Sequence, residues 1–264
     1  MLGAYARLRA VTASEAVRRQ VLDATEQASL REAVGLMEAW PVGSHVWGHY
    51  AEATAGGVAI CRTENPSACN AVIAALVEGP LRAIAEDALG EPVEAFKDKV
   101  NFKRPGGAGF LPHQDRTAYP GVERVLSVLL AIDPCTTASG CLWLAGGVDA
   151  TLPVDDRGVV RDDVSARLVW EPAELDVGDA VCIDGLAPHK SDANRTDRAR
   201  RVLVASYAPA RERYHRDDYY AARARVMAEE SVRDGRERIS TLADFAGVQV
   251  APPPFSASDR CTHG

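Results

Sequence analysis

The feature that most constrains the fold is a series of short segments, from Val93 to Pro209, in which apolar residues alternate or run in short blocks. The first has alternating apolar and polar side chains, which are Phe96, Lys97, Lys99, Val100, Asn101 and Phe102. The later segments are RVLSVLLAID (124–133), GCLWLAGG (140–147), ARLVWEP (166–172), DAVCID (179–184) and RVLVASYAP (201–209). Turn-forming Gly, Pro, Asp and Asn separate them, so the pattern predicts a mainly β sandwich or barrel.

The flanking regions have helical patterns. Ser29 and Glu32, like Thr12 and Glu15, fit a capping box, which predicts two helices over residues 13–39. Asn65-Pro66 predicts a helix start, and GGVAICRT (56–63) predicts a strand. We therefore expect four parts: an N-terminal helical layer packed on the core (1–91), the β core (92–210), a C-terminal helical segment (211–250) and a flexible tail (251–264).

Composition excludes several classes of function. The net charge of −7 argues against a nucleic-acid surface, and no apolar run is long enough to span a bilayer. The N-terminus lacks the apolar core of a signal peptide, and the six cysteines show no CxxC spacing. We expect a cytoplasmic protein with reduced thiols that acts on a small molecule, without nucleic-acid or membrane partners. No sequence pattern predicts its oligomeric state.

A histidine and a carboxylate stand two residues apart in FLPHQDRTAYPG (110–121). In an extended chain, residues i and i+2 point to the same side, so His113 and Asp115 can hold one metal ion. A third ligand is expected at His189, which follows a predicted strand and therefore lies at a strand end. Two histidines and one carboxylate form the facial triad of non-haem Fe(II) oxygenases.

Two further histidines compete for a ligand role. His45 and His49 are four residues apart in GSHVWGHY, but the neighbouring glycines and the lack of a following glutamate disfavour a helical metal pair. We interpret them as surface or capping residues.

Arg200 supports the iron interpretation. It begins the strand that follows His189, and arginine binds a carboxylate through two parallel hydrogen bonds. The distal carboxylate of 2-oxoglutarate is such a group. Arg198 and Arg201 are rivals by position, although Arg201 should point to the opposite face and Arg198 lies in the turn.

Three motifs together resemble the phytanoyl-CoA dioxygenase-like family of Fe(II)/2-oxoglutarate dioxygenases. They are KVNFKRPGGAGFLPHQD (99–115), SGCLWLAGG (139–147) and HKSDANRTDRARR (189–201). The resemblance covers roughly residues 92–210, and the first motif is similar to bacterial members that act on small polar molecules, some of them hydroxylases of aminoethylphosphonate-type compounds. It implies a double-stranded β-helix core, which is a jelly-roll, cupin-like fold, and Fe(II), 2-oxoglutarate and dioxygen as cofactor and cosubstrates.

The resemblance also implies roles for individual residues. His113, Asp115 and His189 match the iron ligands, Arg200 matches the cosubstrate arginine, and Ser191 and Lys99 match positions near the cosubstrate. Because Asp115 is retained, hydroxylation or another oxidation is expected, since halogenating relatives have a small residue there. The chain departs from the family at Ala145–Asp149 and at Trp143, which affects the substrate pocket.

The substrate is the least constrained part of the prediction. Gln114, Arg104 and Trp143 are candidate substrate-binding residues, and basic residues beside the metal motifs indicate an anionic substrate such as a phosphonate or carboxylate. Two alternatives stay open at this point. One is a cupin-like metal or small-molecule binding protein without turnover, and the other is a hydrolase that uses the same triad.

Overall fold

The computed structural model of the protein describes residues 12–37, 48–234, 242 and 244–250. The predictions for His45 and for a flexible tail over residues 251–264 fall outside this range. Within it, no helix combines the length and the apolar character needed to cross a membrane.

Twelve strands form two antiparallel sheets in the described part of the chain. They are β1 (Val17–Arg18), β2 (Gly48–Thr54), β3 (Gly57–Glu64), β4 (Val93–Lys103), β5 (Phe110–His113), β6 (Leu126–Ala131), β7 (Leu142–Leu144), β8 (Glu171–Ala173), β9 (Ala180–Asp184), β10 (His189–Ser191), β11 (Arg200–Pro209) and β12 (Val248–Val250). The large sheet has the order β1-β9-β6-β11-β4-β3-β2-β12, and the small sheet has the order β5-β10-β7-β8. The mainly β prediction is confirmed.

Helices accompany the large sheet. They are α1 (Ala13–Ala16), α2 (Ala24–Met37), α3 (Ala71–Glu78), α4 (Pro80–Leu89), α5 (Asp162–Ser165) and α6 (Arg216–Asp234). The capping box of Thr12 and Glu15 is present at α1, and Gly90 ends α4 with a left-handed backbone. The side chains of α2, α3 and α4 bury an apolar cluster against one face of the large sheet.

Strand β6 shows how the sequence pattern divides the core. All six of its residues are buried, because helices cover one face of the large sheet and the small sheet covers the other. Leu126, Val128 and Leu130 pack with the helices, whereas Leu129 and Ala131 pack between the two sheets. Because side chains alternate along the strand, β6 contributes to two separate apolar layers. Ser127 lies on the inter-sheet side, where its hydroxyl can form hydrogen bonds in a polar site.

The expected helical layer over residues 1–91 is incomplete. Strands β2 and β3 form a hairpin that extends the large sheet at one edge, and β1 adds to the other edge. His49 lies on β2 and is buried. Its Nε2 forms a hydrogen bond with the Met37 carbonyl, and its Nδ1 forms one with the Thr63 hydroxyl. Its interpretation as a surface or capping residue is wrong, because the hairpin carries it under the end of α2.

Three other predicted elements differ from the structure. Ser29 lies inside α2, which is capped by Asp23, whose carboxylate accepts from the backbone of Thr25 and Glu26. Asn65-Pro66 starts only a short 3-10 turn, and Asn70 caps α3 instead. Most of ARLVWEP (166–172) is turn and loop, with β8 beginning at its end. In the first two cases a polar side chain caps the helix at a position different from the one that the sequence pattern predicted.

The predicted C-terminal helical segment (211–250) is helical only in part. Helix α6 ends at Asp234, and β12 pairs with β2 at the edge of the large sheet. Between them, Asp244 and Phe245 return to the small sheet, where Leu111 N–H donates to the Asp244 carbonyl at 2.8 Å. The end of the described chain therefore lies against the β core and is not a purely helical addition.

Tyr207 links the helical layer to the large sheet and offers a test of the packing. Its buried hydroxyl donates to the Val77 carbonyl at 2.7 Å, in the last turn of α3, where carbonyls lack helical partners. We expect Tyr207→Phe to lower the free energy of unfolding by about 1–2 kcal/mol, because the carbonyl stays buried without a donor. Urea unfolding followed by circular dichroism measures this. An unchanged midpoint would contradict the assigned bond.

Candidate metal centre and cavity

The pairing of β5 with β10 brings the two predicted histidine ligands together. His113 and His189 are direct partners across these strands, and their ring centroids lie 4.2 Å apart. Asp115 follows β5 in a 3-10 turn over Asp115–Ala118, so the chain bends its carboxylate back toward both rings. The structure thus brings His113, Asp115 and His189 into one group whose possible ligand atoms all lie within 4.8 Å of one another.

Backbone carbonyls fix the orientation of both imidazoles. His113 Nδ1 donates to the Leu111 carbonyl at 2.7 Å, and His189 Nδ1 donates to the Ala187 carbonyl at 3.0 Å. In each case the acceptor lies two residues earlier in the chain. The two Nε2 atoms therefore carry the free lone pairs, and they lie 3.9 Å and 3.8 Å from Asp115 Oδ1.

The charges of the cluster suit metal binding. Burial raises the pKa of Asp115, but His189, Lys99 and His113 outweigh it, so the pKa falls below its usual range. Burial and the neighbouring His113 lower the pKa of His189 to about 4, against the opposing effect of Asp115. An ionised carboxylate and a neutral imidazole are the forms that bind a metal ion.

The donor set fits iron(II). Two imidazole nitrogens and one carboxylate oxygen converge from one side, as in the facial triad, and Asp115 Oδ2 accepts from Ser127 Oγ at 2.9 Å. That bond fixes the carboxylate so that Oδ1 faces the histidines. An iron ion held by these three residues would still have positions for a cosubstrate and dioxygen.

The cavity between the sheets begins at the cluster and reaches Arg200 on β11. The Arg200 guanidinium is buried, and its Nη2 donates to the Gly140 carbonyl at 2.7 Å. Its Nε, also buried, has no hydrogen-bond partner in the described part of the chain. Arg201 faces the other way and forms a two-bonded pair with Asp133, while Arg198 is exposed. A buried guanidinium with an unused donor is a fitting partner for a carboxylate.

Lys103 lies beside Arg200, its register partner on β4. Its ammonium donates to the Gly140 carbonyl at 3.1 Å and to Ser191 Oγ at 3.0 Å. Burial and the charge of Arg200 together lower the pKa of Lys103 well below its usual value. The predicted cosubstrate residues Arg200 and Ser191 therefore lie at one end of the cavity, together with a lysine that the sequence analysis did not single out.

Lys99 lies in a second group of cations, nearer the histidines. Arg62, Lys97 and Lys99 all line the cavity on adjacent strands β3 and β4. Lys97 donates to the Tyr119 hydroxyl at 3.0 Å, and Arg62 donates to Asn101 Oδ1 at 3.0 Å. Among the described residues, the Lys99 ammonium makes no hydrogen bond or ion pair. We call Arg62, Lys97 and Lys99 the cation group.

The three residues predicted to bind substrate do not line the cavity. Gln114 is fully buried, and its amide donates to the Ala150 carbonyl and accepts from Leu152 N–H, so it ties the 150–152 loop to β5. Arg104 lies over the Phe102 ring. Trp143 lies between Leu142 and Leu144 on β7, where Leu142 is the residue that reaches the cavity.

Other cavity residues were missed by sequence reasoning. Lys103 continues the period-two face of Lys97, Lys99 and Asn101, so its position could have been found from the alternation alone. Arg62 sits on a strand that the sequence analysis assigned without a functional role. Asp244 and Glu52 lie far from every motif along the chain, and no sequence signal connects them to the site.

Comparison with known proteins agrees with this geometry. The family model described as phytanoyl-CoA dioxygenase (PhyH) matches residues 15–202. The methylphosphonate hydroxylase of Gimesia maris is 34% identical over 232 residues, which are 86% of this chain and 89% of that protein. The 2-aminoethylphosphonate dioxygenase of uncultured bacterium HF130_AEPn_1 is 33% identical over 188 residues, 69% of this chain and 72% of that protein.

A solved structure confirms the fold. The epimerase SnoN in complex with Fe3+, alpha ketoglutarate and nogalamycin RO superposes with a TM-score of 0.62 at 21% identity, covering 80% of this chain and 85% of that one. The predicted jelly-roll core is therefore confirmed. Because the family model spans most of the chain and the His-Asp-His cluster is assembled, the chain belongs to the phytanoyl-CoA dioxygenase family and is an iron- and 2-oxoglutarate-dependent oxygenase.

Proposed function

We propose that this oxygenase hydroxylates a C–H bond of a small phosphonate-type anion. The observation that carries the proposal is the cation group beside the His113–Asp115–His189 cluster. When bound, iron(II) with 2-oxoglutarate and dioxygen supplies the oxidant. The protein then has to bind and orient the substrate and exclude water from the site.

Lys99 gives the cation group its preference for an anion. Burial, followed by the charges of Arg62 and Lys97, lowers the pKa of Lys99 well below its usual value. Besides burial, the positive charges of Arg62 and Lys97 therefore oppose protonation of Lys99. A dianionic phosphonate next to these side chains would remove the repulsion, whereas a neutral or cationic substrate would not.

Two carboxylates, those of Glu64 and Asp115, lie near the cation group. Glu64 is buried, and although burial raises its pKa, Lys97, Arg223 and Arg62 hold the pKa below its usual value. Asp115 is committed to the metal cluster. The phosphonate chemistry of two relatives that match most of this chain is consistent with an anion bound beside the cation group.

Arg200 and Lys103 suit the distal carboxylate of 2-oxoglutarate. The guanidinium offers a planar pair of donors, and Ser191 Oγ, which accepts from Lys103, can reorient toward a carboxylate. This assignment keeps the cosubstrate at one end of the cavity and leaves the cation group for the substrate. It also disfavours a metal-binding protein without turnover, for which a buried arginine with an unused donor has no purpose.

The metal ligands can be tested one at a time. We expect His113→Ala, Asp115→Ala and His189→Ala each to abolish turnover and to lower the iron content strongly, because two anchors remain. Iron per chain after anaerobic loading, with circular dichroism for the fold, measures this. His215→Ala is the control, since that exposed histidine lies outside the cavity and pairs with Glu94 at 2.8 Å. A variant with full iron and full activity would remove its residue from the triad.

The cosubstrate assignment predicts a specific loss at Arg200. Hydrogen bonds to charged groups contribute roughly 1.5–3 kcal/mol each. Arg200→Ala should therefore raise the apparent Michaelis constant for 2-oxoglutarate (the 2-oxoglutarate constant) about a hundredfold or more. Arg200→Lys should recover part of this, because an ammonium lacks the planar fork. Iron content should stay unchanged.

Arg198→Ala and Arg201→Ala are the matched controls for the Arg200 experiment. Arg198 is exposed and Arg201 is paired with Asp133, so neither should alter the 2-oxoglutarate constant. Titration of 2-oxoglutarate with the iron-loaded variants measures all three. A large rise in a neighbouring variant and none in Arg200→Ala would overturn the assignment of the cosubstrate end.

The substrate assignment predicts a different loss at Lys99. We expect Lys99→Met to raise the dissociation constant for a bound phosphonate about tenfold to a hundredfold, because the variant loses one hydrogen bond to a charged group. The 2-oxoglutarate constant should change little. Arg104→Met removes a nearby positive charge that does not line the cavity and serves as the control. Equal losses in both variants would indicate a general charge effect and contradict a phosphonate contact at Lys99.

A further inference from the structure

Asp244 is a buried carboxylate on the wall of the cavity that none of the functions above uses. It lies beyond the residues matched by the family model, on the segment that returns from α6 to the small sheet. Backbone bonds hold this segment on both sides of the carboxylate, since Leu111 N–H donates to the Asp244 carbonyl and Ala246 N–H donates to the Gly109 carbonyl. The Phe245 ring lies 5.3 Å from that of Phe110, which fixes the segment further.

The oxygens of Asp244 lack hydrogen-bond donors in the part of the chain that the structure describes. Its Oδ1 is buried and has no hydrogen-bond partner within the described residues. Its Oδ2 lies 3.3 Å from His113 Nε2. Because His113 Nδ1 already donates to the Leu111 carbonyl, Nε2 is the nitrogen left for the metal. Once a metal ion binds there, His113 has no proton to offer, and neither oxygen of Asp244 has a donor from the described chain.

The position of Asp244 does not suit a fourth metal ligand. The group of mutually close ligand atoms contains His113, Asp115 and His189, and Asp244 is not part of it although it touches His113. Its carboxylate therefore lies to the side of the metal position, on the wall of the space that a substrate would enter. A buried carboxylate without donors is strongly unfavourable, so a donor from a bound ligand would stabilise it.

We propose that Asp244 accepts a hydrogen bond from the ammonium group of the substrate, which makes the substrate a zwitterionic aminoalkylphosphonate. The proposal rests on the phosphonate function above. It joins two features of one cavity, in which the cation group receives the phosphonate and Asp244 receives the ammonium. A carboxylate beside the metal cluster would hold the carbon chain between these two points across the open coordination side.

The test compares two ligands that differ at one position. These are 2-aminoethylphosphonate and propylphosphonate, in which a methyl group replaces the ammonium. Their dissociation constants are measured by anaerobic calorimetry on enzyme loaded with iron(II) and 2-oxoglutarate. From the strength of hydrogen bonds to charged groups, we expect the wild type to prefer the amino compound about tenfold to a hundredfold. Asp244→Asn should abolish most of this preference, because the amide keeps the shape but loses the charge.

Two control variants separate Asp244 from other carboxylates. Asp163→Asn removes an exposed charge outside the cavity and should leave the preference unchanged. Glu52→Gln removes the other buried cavity carboxylate, which accepts from Ala108 N–H at 3.0 Å, and it too should keep the preference. Thermal unfolding and the 2-oxoglutarate constant show whether each variant is intact. The ratio of the dissociation constants for the two phosphonates, measured within one variant, does not depend on the fraction of protein that is folded.

Several outcomes would overturn the assignment. If Asp244→Asn weakens both phosphonates equally, or if only Glu52→Gln removes the preference, Asp244 is not the ammonium acceptor. A tenfold fall in iron affinity for Asp244→Asn would make it a metal ligand instead. If the wild type binds both compounds without preference, the ammonium inference fails while the phosphonate function stands. If it binds neither, the phosphonate function fails first.

Discussion

The site depends on the register of one short pair of strands. His113 and His189 are opposite each other in β5 and β10, and each imidazole is held by the carbonyl two residues before it. Because side chains alternate along a strand, a shift of one residue would turn one ring to the other face of the small sheet. The register is in turn secured by close packing at Gly109, where a Cβ atom would lie 1.9 Å from the Ser191 carbonyl oxygen.

The glycine-rich loop before β5 also depends on close backbone packing. The run Gly106, Gly107 and Gly109 could in principle form either a tight connection or a mobile loop. In the structure, Gly106 N–H donates to the Asn194 carbonyl, and Asn194 N–H donates to the Gly107 carbonyl. A Cβ atom at Gly107 would lie 2.9 Å from the Arg104 carbonyl oxygen. These glycines permit close backbone approach beside the cosubstrate end, which favours the tight connection.

Sequence reasoning succeeded where the site depends on local spacing. The His113–Asp115 pair needs only the alternation of an extended chain, and His189 and Arg200 each lie at the end of a strand with a clear apolar pattern. It failed where position depends on tertiary contacts. Gln114 lies between two metal ligands in the sequence, but the alternation of side chains turns it away from the cavity. Its amide forms hydrogen bonds with the backbone of Ala150 and Leu152 instead. Asp244 is more than a hundred residues away from His113 in the sequence, and the two side chains meet only because the folded chain returns to the site.

The cavity contains two separate groups of cationic side chains, and the proposed function assigns one anion to each. Arg200 presents a planar fork beside Lys103, a geometry that matches the two oxygens of a carboxylate. The cation group of Arg62, Lys97 and Lys99 contributes a second guanidinium and two amino groups, and both kinds of side chain bind phosphonate oxygens. In the proposed arrangement the two anions are separated by position, because Arg200 and Lys103 lie at one end of the cavity and the cation group lies nearer the histidines. In our proposal, the position of the cations relative to the metal cluster, more than their shape, therefore distinguishes the cosubstrate from the substrate.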